Sequence, residues 1–228
     1  MTLLWHVVQF FGGGANWTGP EGILAQLYGQ LAVSFVAVMA AVLTGGGLGC
    51  YLGHVGKGGF VALNSANAAR AIPSFALLTL LAIQPVFVDQ REGGYLATVI
   101  AMWALAVPVV LTNTYAGIRG VQAPLRMAAV AMGMTPLQVL WRVELPLAMP
   151  LIMAGARTAA VEVVATATLA AYVGYGDLGT YIFTGLATSD DVKTLVGAIL
   201  VAALALVVDR LMLLAQRLTN ARLTNARL

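Results

Sequence analysis

Residues 22–56 read GILAQLYGQLAVSFVAVMAAVLTGGGLGCYLGHVG, with no Asp, Glu, Lys or Arg among them. About 20 apolar residues in a helix cross the hydrocarbon core of a bilayer, and a helix satisfies its own backbone N–H and C=O groups there without water. Residues 71–88 and 93–118 are likewise free of those four residue types, and two further apolar runs follow Pro146. The whole chain agrees with this stretch. Of 228 residues, 60% are hydrophobic and 9% charged, against about 25% charged in an ordinary soluble domain. A soluble globular domain would need more charge on its surface, and a disordered chain would be less hydrophobic. The solvent has to be lipid.

Five spans are expected, at residues 24–50, 62–83, 95–118, 147–172 and 193–214. The fold class is all-α, a polytopic membrane helix bundle of about five core transmembrane helices. This length holds about five or six spans and short loops, with no room for a separate catalytic domain. Residues 1–20 form an external or interfacial segment. Residues 2–11 are apolar but too short to cross, Gly12, Gly13 and Gly14 end the run, and no basic stretch precedes it as in a cleaved signal peptide. Trp5 and Trp17 suit headgroup depth. The transmembrane domain is 21–216, and 217–228 is a basic tail built on a repeated Arg-Leu-Thr-Asn-Ala.

The loops orient the chain. Lys57, Arg119, Arg126, Arg142, Arg210, Arg217, Arg222 and Arg227 fall on one side. Arg91 and Lys193 fall on the other, with Glu21, Asp89, Glu92, Asp177, Asp190 and Asp191. Basic loops stay in the cytoplasm, so the N-terminus is expected outside and the C-terminus inside.

Chemistry within the chain is hard to find. The net charge of +3 forms no basic stripe for nucleic acid. A lone Cys50 and two distant histidines, His6 and His54, hold no metal between them. Gly56-Lys57 is followed by Gly58, and Tyr51 fills the first glycine slot of a phosphate-binding loop, so the chain does not bind ATP in that way. The turn Gly174-Tyr175-Gly176-Asp177-Leu178-Gly179 is glycine-rich but lies outside, and no lysine follows it. No nucleophile–base set is visible, so catalytic residues, metal and cofactor are all expected to be absent from this chain.

The polar residues inside spans are the informative ones. Pro73, followed by Ser74, bends span two, either as a packing kink or as a hinge of the path. Thr112, Asn113 and Thr114 cover about 200° of helix surface. Interhelical hydrogen bonding is their commoner use, and a path-lining Asn113 is the alternative. Arg157 and Glu162 lie about 140° apart around span four, a poor intrahelical pair. Arg157 can snorkel inward. Glu162 is deeper and should face a water-filled path or meet a cation, which fits a cationic or zwitterionic solute. The glycines at 45–47 and 49 pack against a neighbouring helix.

One cytoplasmic segment is too long for a simple loop. Residues 121–150 read VQAPLRMAAVAMGMTPLQVLWRVELPLAMP. Pro124 opens a helix through Met132, and Gly133 interrupts it. Thr135 caps a second helix with Pro136 at its first position, and Pro146 stops it. The pair either lies on the membrane or is covered by a partner protein.

This segment resembles the signature loop of permease subunits of ATP-binding cassette importers: Glu-Ala-Ala, three residues, Gly, nine residues, Ile-any-Leu-Pro. The matching positions are Met127, Ala128, Ala129, Gly133, Val143, Glu144, Leu145 and Pro146, with Met127 where the family usually has Glu. The resemblance implies that these residues, in a coupling segment of about 121–146, dock in a cleft of a separate ATPase; in place of the carboxylate missing at Met127, Arg126 and Arg142 are the nearby residues able to supply charge. ATP and Mg would sit on that partner. It further implies a second permease subunit, identical or homologous, an extracytoplasmic solute-binding protein, and the bacterial cytoplasmic membrane. Ala71-Ile72-Pro73-Ser74-Phe75-Ala76-Leu77-Leu78, Asn113-Thr114 and 171–179 (AYVGYGDLG) resemble the subgroup importing glycine betaine, choline and carnitine. On that resemblance Pro73, Ser74, Asn113, Gly174, Tyr175, Gly176 and Gly179 are path or gate candidates, and Glu162 joins them on the cost of a charge within a span alone. Amino-acid permeases share the coupling loop and stay as the alternative. An ATP-independent secondary transporter would need more coupling carboxylates than Glu162 and an internal repeat. An intramembrane enzyme would need a Ser–His or metal pair within the spans.

Overall fold

A computed structural model describes residues 2–87 and 92–225, with backbone alone for residues 2, 87, 92–93 and 220–225. Asp89, Arg91 and Arg227, and the side chains of Glu92 and Arg222, lie outside the described residues. Among the described residues the chain is helical, with no strand. The order begins with α1 (Thr2–Gly12) and α2 (Ile23–Ala41), which runs through a π turn at Val42–Gly46 into α3 (Gly47–Val55). Then come α4 (Gly59–Ala69), α5 (Ser74–Ala82), α6 (Glu92–Arg119), α7 (Ala123–Ala131) and α8 (Pro136–Val139). A second π turn, Leu140–Glu144, leads into α9 (Leu145–Ala167), which tightens to a 3₁₀ stretch at Thr168–Val173 before α10 (Gly179–Thr188) and α11 (Asp191–Asn225). The fold is an all-α membrane bundle.

Among the described residues, four helical stretches are long and apolar enough to cross a membrane: Ile23–Val55, Gly94–Arg119, Pro136–Val173 and Asp191–Thr219. The expected span at 62–83 is instead two short helices, α4 and α5. Proline lacks an N–H and disfavours helical backbone in the residue before it. Pro73 therefore breaks the helix rather than kinking it. It sits at the start of α5 with extended backbone (φ −61°, ψ 121°), and its carbonyl accepts from Leu77 N–H at 3.0 Å.

Pro146, expected to stop a helix, does not. The widened turn at Leu140–Glu144 ends two residues before it, and α9 carries straight on from Leu145. A residue that cannot donate is accommodated early in a helix where the hydrogen-bond register changes. The last helix likewise passes the expected end at 214 and continues to Asn225, so most of the basic tail is helical.

The chain forms two compact units, each discontinuous in sequence. One comprises Met1–Ala37, Ile72–Trp103 and Ala160–Val208; the other comprises Val38–Ala71, Ala104–Ala159 and Asp209–Leu228. The first buries Ile23, Val33, Leu78, Met102, Val163, Leu178 and Val196. The second buries Val110, Ile118, Ala129, Val139, Ala148 and Ala159, and its α3–α6 contact runs along glycines. A Cβ on Gly45 or Gly49 would lie 2.8 Å from the carbonyl oxygen of Val107 or Leu111, and one on Gly53 would lie 2.7 Å from Ile118 Cβ. Residues four apart share a helix face, so these three glycines let α6 approach backbone to backbone.

Candidate functional site

The coupling segment folds as a helix pair. Pro124 lies in the first turn of α7, where its missing N–H costs nothing. Gly133, at φ +82°, turns the corner. Thr135 and Gln138 form a reciprocal capping box, Thr135 N–H donating to Gln138 Oε1 at 2.9 Å and Gln138 N–H to Thr135 Oγ1 at 3.4 Å. Ala129 and Val139 are buried, while Ala128 and Gly133 are exposed. Leu125, Met127, Val130, Met132, Leu137 and Trp141 stand out of the pair, Met127 64% and Trp141 61% exposed. Val143, Leu145 and Pro146 are half-buried.

Glu144 turns the other way. It is 2% exposed, and its two carboxylate oxygens meet two cationic or ionisable partners. Arg126 Nε lies 2.8 Å from Oε1 and His54 Nδ1 lies 2.7 Å from Oε2. The Arg126 guanidinium also donates to the carbonyl oxygen of Ile118 near the end of α6. Arg126 is therefore turned inward, whereas Arg142 is exposed. Sequence reasoning places Glu144 in an any-residue slot and sets His54 aside. The available signal is a carboxylate in an otherwise apolar run, which needs a partner.

Arg157 on α9 does not snorkel. Its Nε and Nη2 hold both oxygens of Asp209 on α11, at 2.7 and 2.8 Å, the fork geometry that favours Arg over Lys. Asp209 escapes the sequence reading because Arg210 beside it dominates the local charge. A carboxylate ending an apolar run is the clue.

Five residues further on, Glu162 is exposed, and among the described residues it makes no ion pair. Thr158 and Thr166 lie four residues to either side, so the three form one polar stripe on a spanning helix. Both hydroxyls donate to main-chain carbonyls of α9, Thr158 to Ala154 at 3.0 Å and Thr166 to Glu162 at 2.8 Å. Asn113 on α6 donates to Val109 O at 2.8 Å and packs where Gly155 of α9 has no side chain. Thr112 bonds back to Pro108 O. Thr114 is fully buried beside Gly49.

The turn at 174–179 is anchored by α2. Gly174 takes φ +82°. Gln30 is fully buried, donating to Val164 O at 2.6 Å and accepting from Leu178 N–H at 3.3 Å. Tyr175 Oη reaches Gly29 O at 3.4 Å, and the Gly176 carbonyl packs onto Gly29, where no Cβ would fit. Asp177 accepts from Gly179 N–H at 2.7 Å and is sealed from solvent, so burial pushes its carboxyl up to about 8. Beside the turn is a cavity of about 300 Å³ whose lining includes Glu21, Gln26, Tyr175, Thr180 and Lys193.

The residues thus form a helical membrane bundle that displays an exposed apolar helix pair next to a spanning helix. Residues 44–220 match the family described as binding-protein-dependent transport system inner membrane component, and the chain belongs to that family. It is 36% identical over 212 residues to the choline transport system permease protein OpuBB of Bacillus subtilis, covering 93% of each chain. It is 35% identical over 208 residues to the carnitine transport permease protein OpuCB of Listeria monocytogenes, covering 91% of this chain and 93% of that one. The fold matches the MetNI methionine ABC transporter in an inward-facing conformation, with a TM-score of 0.72 at 21% identity over 86% of this chain and 95% of that one. It also matches an amino acid ABC transporter solved with histidines, with a TM-score of 0.67 at 21% identity over 88% and 93%. The chain is thus a multi-pass inner-membrane transport subunit of the ATP-binding cassette importer class, and ATP hydrolysis belongs to a separate subunit.

Proposed function

We propose that this permease forms the path for a quaternary-ammonium osmoprotectant such as choline, carnitine or glycine betaine. The observation that carries the reading is Glu162, an exposed carboxylate within a spanning helix, flanked by two threonines on one face. A charge facing lipid is costly, so this stripe faces water, and a carboxylate in a water-filled path favours a cationic headgroup. Relatives named for choline and carnitine transport support the same solute class. The N-terminus is outside and the C-terminus inside, following the basic loops, which requires the broken α4–α5 segment to complete a fifth crossing between the four long spans.

Two permease subunits, identical or homologous, enclose the path. The ATPase grips α7 and α8 through Met127, Ala128, Gly133 and the exposed apolar row around them, and carries the ATP and Mg. An extracytoplasmic binding protein docks near the turn at Gly174, Tyr175, Gly176 and Gly179. The break at Pro73 and Ser74 serves as the hinge by which α5 moves without α4. Asn113 belongs to α6–α9 packing rather than to the path, since its side chain is seated against Gly155 of α9.

The test is ATP hydrolysis and uptake by the reconstituted complex with its binding protein, across choline, glycine betaine, carnitine and a set of amino acids. Stimulation by the quaternary-ammonium solutes alone is expected, with uptake lowered by Glu162→Gln. Stimulation by an amino acid instead refutes the solute class. Transport untouched by Glu162→Gln refutes the site.

A further inference from the structure

Glu144 stands apart from the rest of the coupling segment. The exposed residues around it are suited to an interface, yet its own carboxylate is sealed and divided between His54 of α3 and Arg126 of α7. Arg126 in turn holds the Ile118 carbonyl near the end of α6. Four pieces of chain therefore meet at one buried charge: the end of the first span, the end of α6, the first coupling helix, and the π turn leading into α9.

We infer that Glu144, with His54 and Arg126, is the joint through which movement of the coupling helices is handed to the spans; Glu144 and His54 act as positioning residues rather than as ATPase contacts. The inference deepens the proposed ATP-driven import and rests on it. The physical reason is the difference between apolar and ionic contacts. Apolar side chains slide past one another at small cost, because any apolar neighbour serves. A buried carboxylate that parts from its partners is left as an uncompensated charge in low dielectric. Such a contact contributes little net stability but fixes a single geometry. A helix pair resting on apolar contacts alone would yield when pushed. Fixed at Glu144, it carries α3 and the α6 end along with it.

The experiment uses the full complex of permease, ATPase and solute-binding protein in proteoliposomes, with radiolabelled choline as probe. The quantity read is choline imported per ATP hydrolysed. His54→Leu keeps side-chain bulk and removes the partner of Oε2. His54→Asn places an amide donor near the position of Nδ1. The ratio is expected to fall about tenfold in His54→Leu, within the range a coupling residue carries, and to stay within about twofold of the parent in His54→Asn. A general packing defect would not be rescued by Asn, which is smaller than His. If His54→Leu fails to assemble with the ATPase, Glu144→Gln, which keeps volume and removes the charge, is read in its place with the same expected fall. An unchanged ratio in the variant read, or a His54→Asn ratio as low as that of His54→Leu, overturns the joint. Absence of ATP-dependent choline uptake in the parent complex refutes the proposed import of this solute itself, which separates the two failures.

Discussion

The glycines of α3 set a measurable limit on how the first span packs. In Gly49→Ala, the new Cβ would lie 2.8 Å from the Leu111 carbonyl oxygen, 2.9 Å from Thr114 Cβ and 3.2 Å from Thr114 Cγ2. Favourable heavy-atom separations begin near 3.5 Å, so α3 and α6 must part by ~0.7 Å. The nearest atom is backbone, and no side-chain rotation relieves it. Overpacking of this kind costs about 1–3 kcal/mol. Alanine is also the better helix former by about 1 kcal/mol, which would mask the effect in a single variant. Gly47 supplies the control, because it lies in the same helix and a Cβ there would meet nothing within 4 Å. Gly47→Ala gains the same propensity and meets no neighbour, so the difference between the two variants is the packing cost alone. At about 2–4 °C per kcal/mol for a chain of this size, Gly49→Ala should melt about 2–12 °C below Gly47→Ala. Cys50, the single cysteine and half-buried beside Gly49, reports the transition through a thiol-reactive dye on the purified permease. Equal melting temperatures, or a higher one for Gly49→Ala, would refute the backbone-contact account of this helix pair.

Two further outcomes follow from the polar contacts. Asp177 is raised from 3.8 to about 8 by burial, so between those values the folded chain holds a proton that the unfolded chain has released. Stability then falls as pH rises through that window. Asp177→Asn, which keeps the acceptor for Gly179 N–H, should flatten the melting-temperature profile from about pH 5 to about pH 8, and parallel profiles would sink the assignment. For the Arg157–Asp209 fork, Arg157→Met or Asp209→Leu alone strands a charge in a span and should lower the yield of membrane-inserted protein several-fold, while the double variant should recover it. Yields that simply add would show that the pair is not coupled.

The sequence carried the class because lipid imposes so few solutions. Charge-free runs, basic loops and the spacing from Ala128 to Pro146 each report a constraint that acts locally along the chain. Thr135 and Pro136 were readable for the same reason, since a cap concerns residues three apart. What stayed hidden depends on partners distant in sequence. His54 and Glu144 are 90 residues apart, and Arg157 and Asp209 are 52 apart; nothing local to either member names the other. The two prolines show the limit most clearly. Pro73 and Pro146 carry the same intrinsic handicap, a missing N–H and a crowded preceding residue. Yet one ends a helix and the other is absorbed by it. The difference lies in the flanking chain: Pro146 follows a turn of helix already widened at Leu140–Glu144, and Glu144 within that turn is gripped by Arg126 and His54. Pro73 follows Arg70, Ala71 and Ile72, which leave the helix before it. The widened turn, gripped at Glu144, accompanies the continued helix at Pro146, whereas the chain before Pro73 has already left the helix.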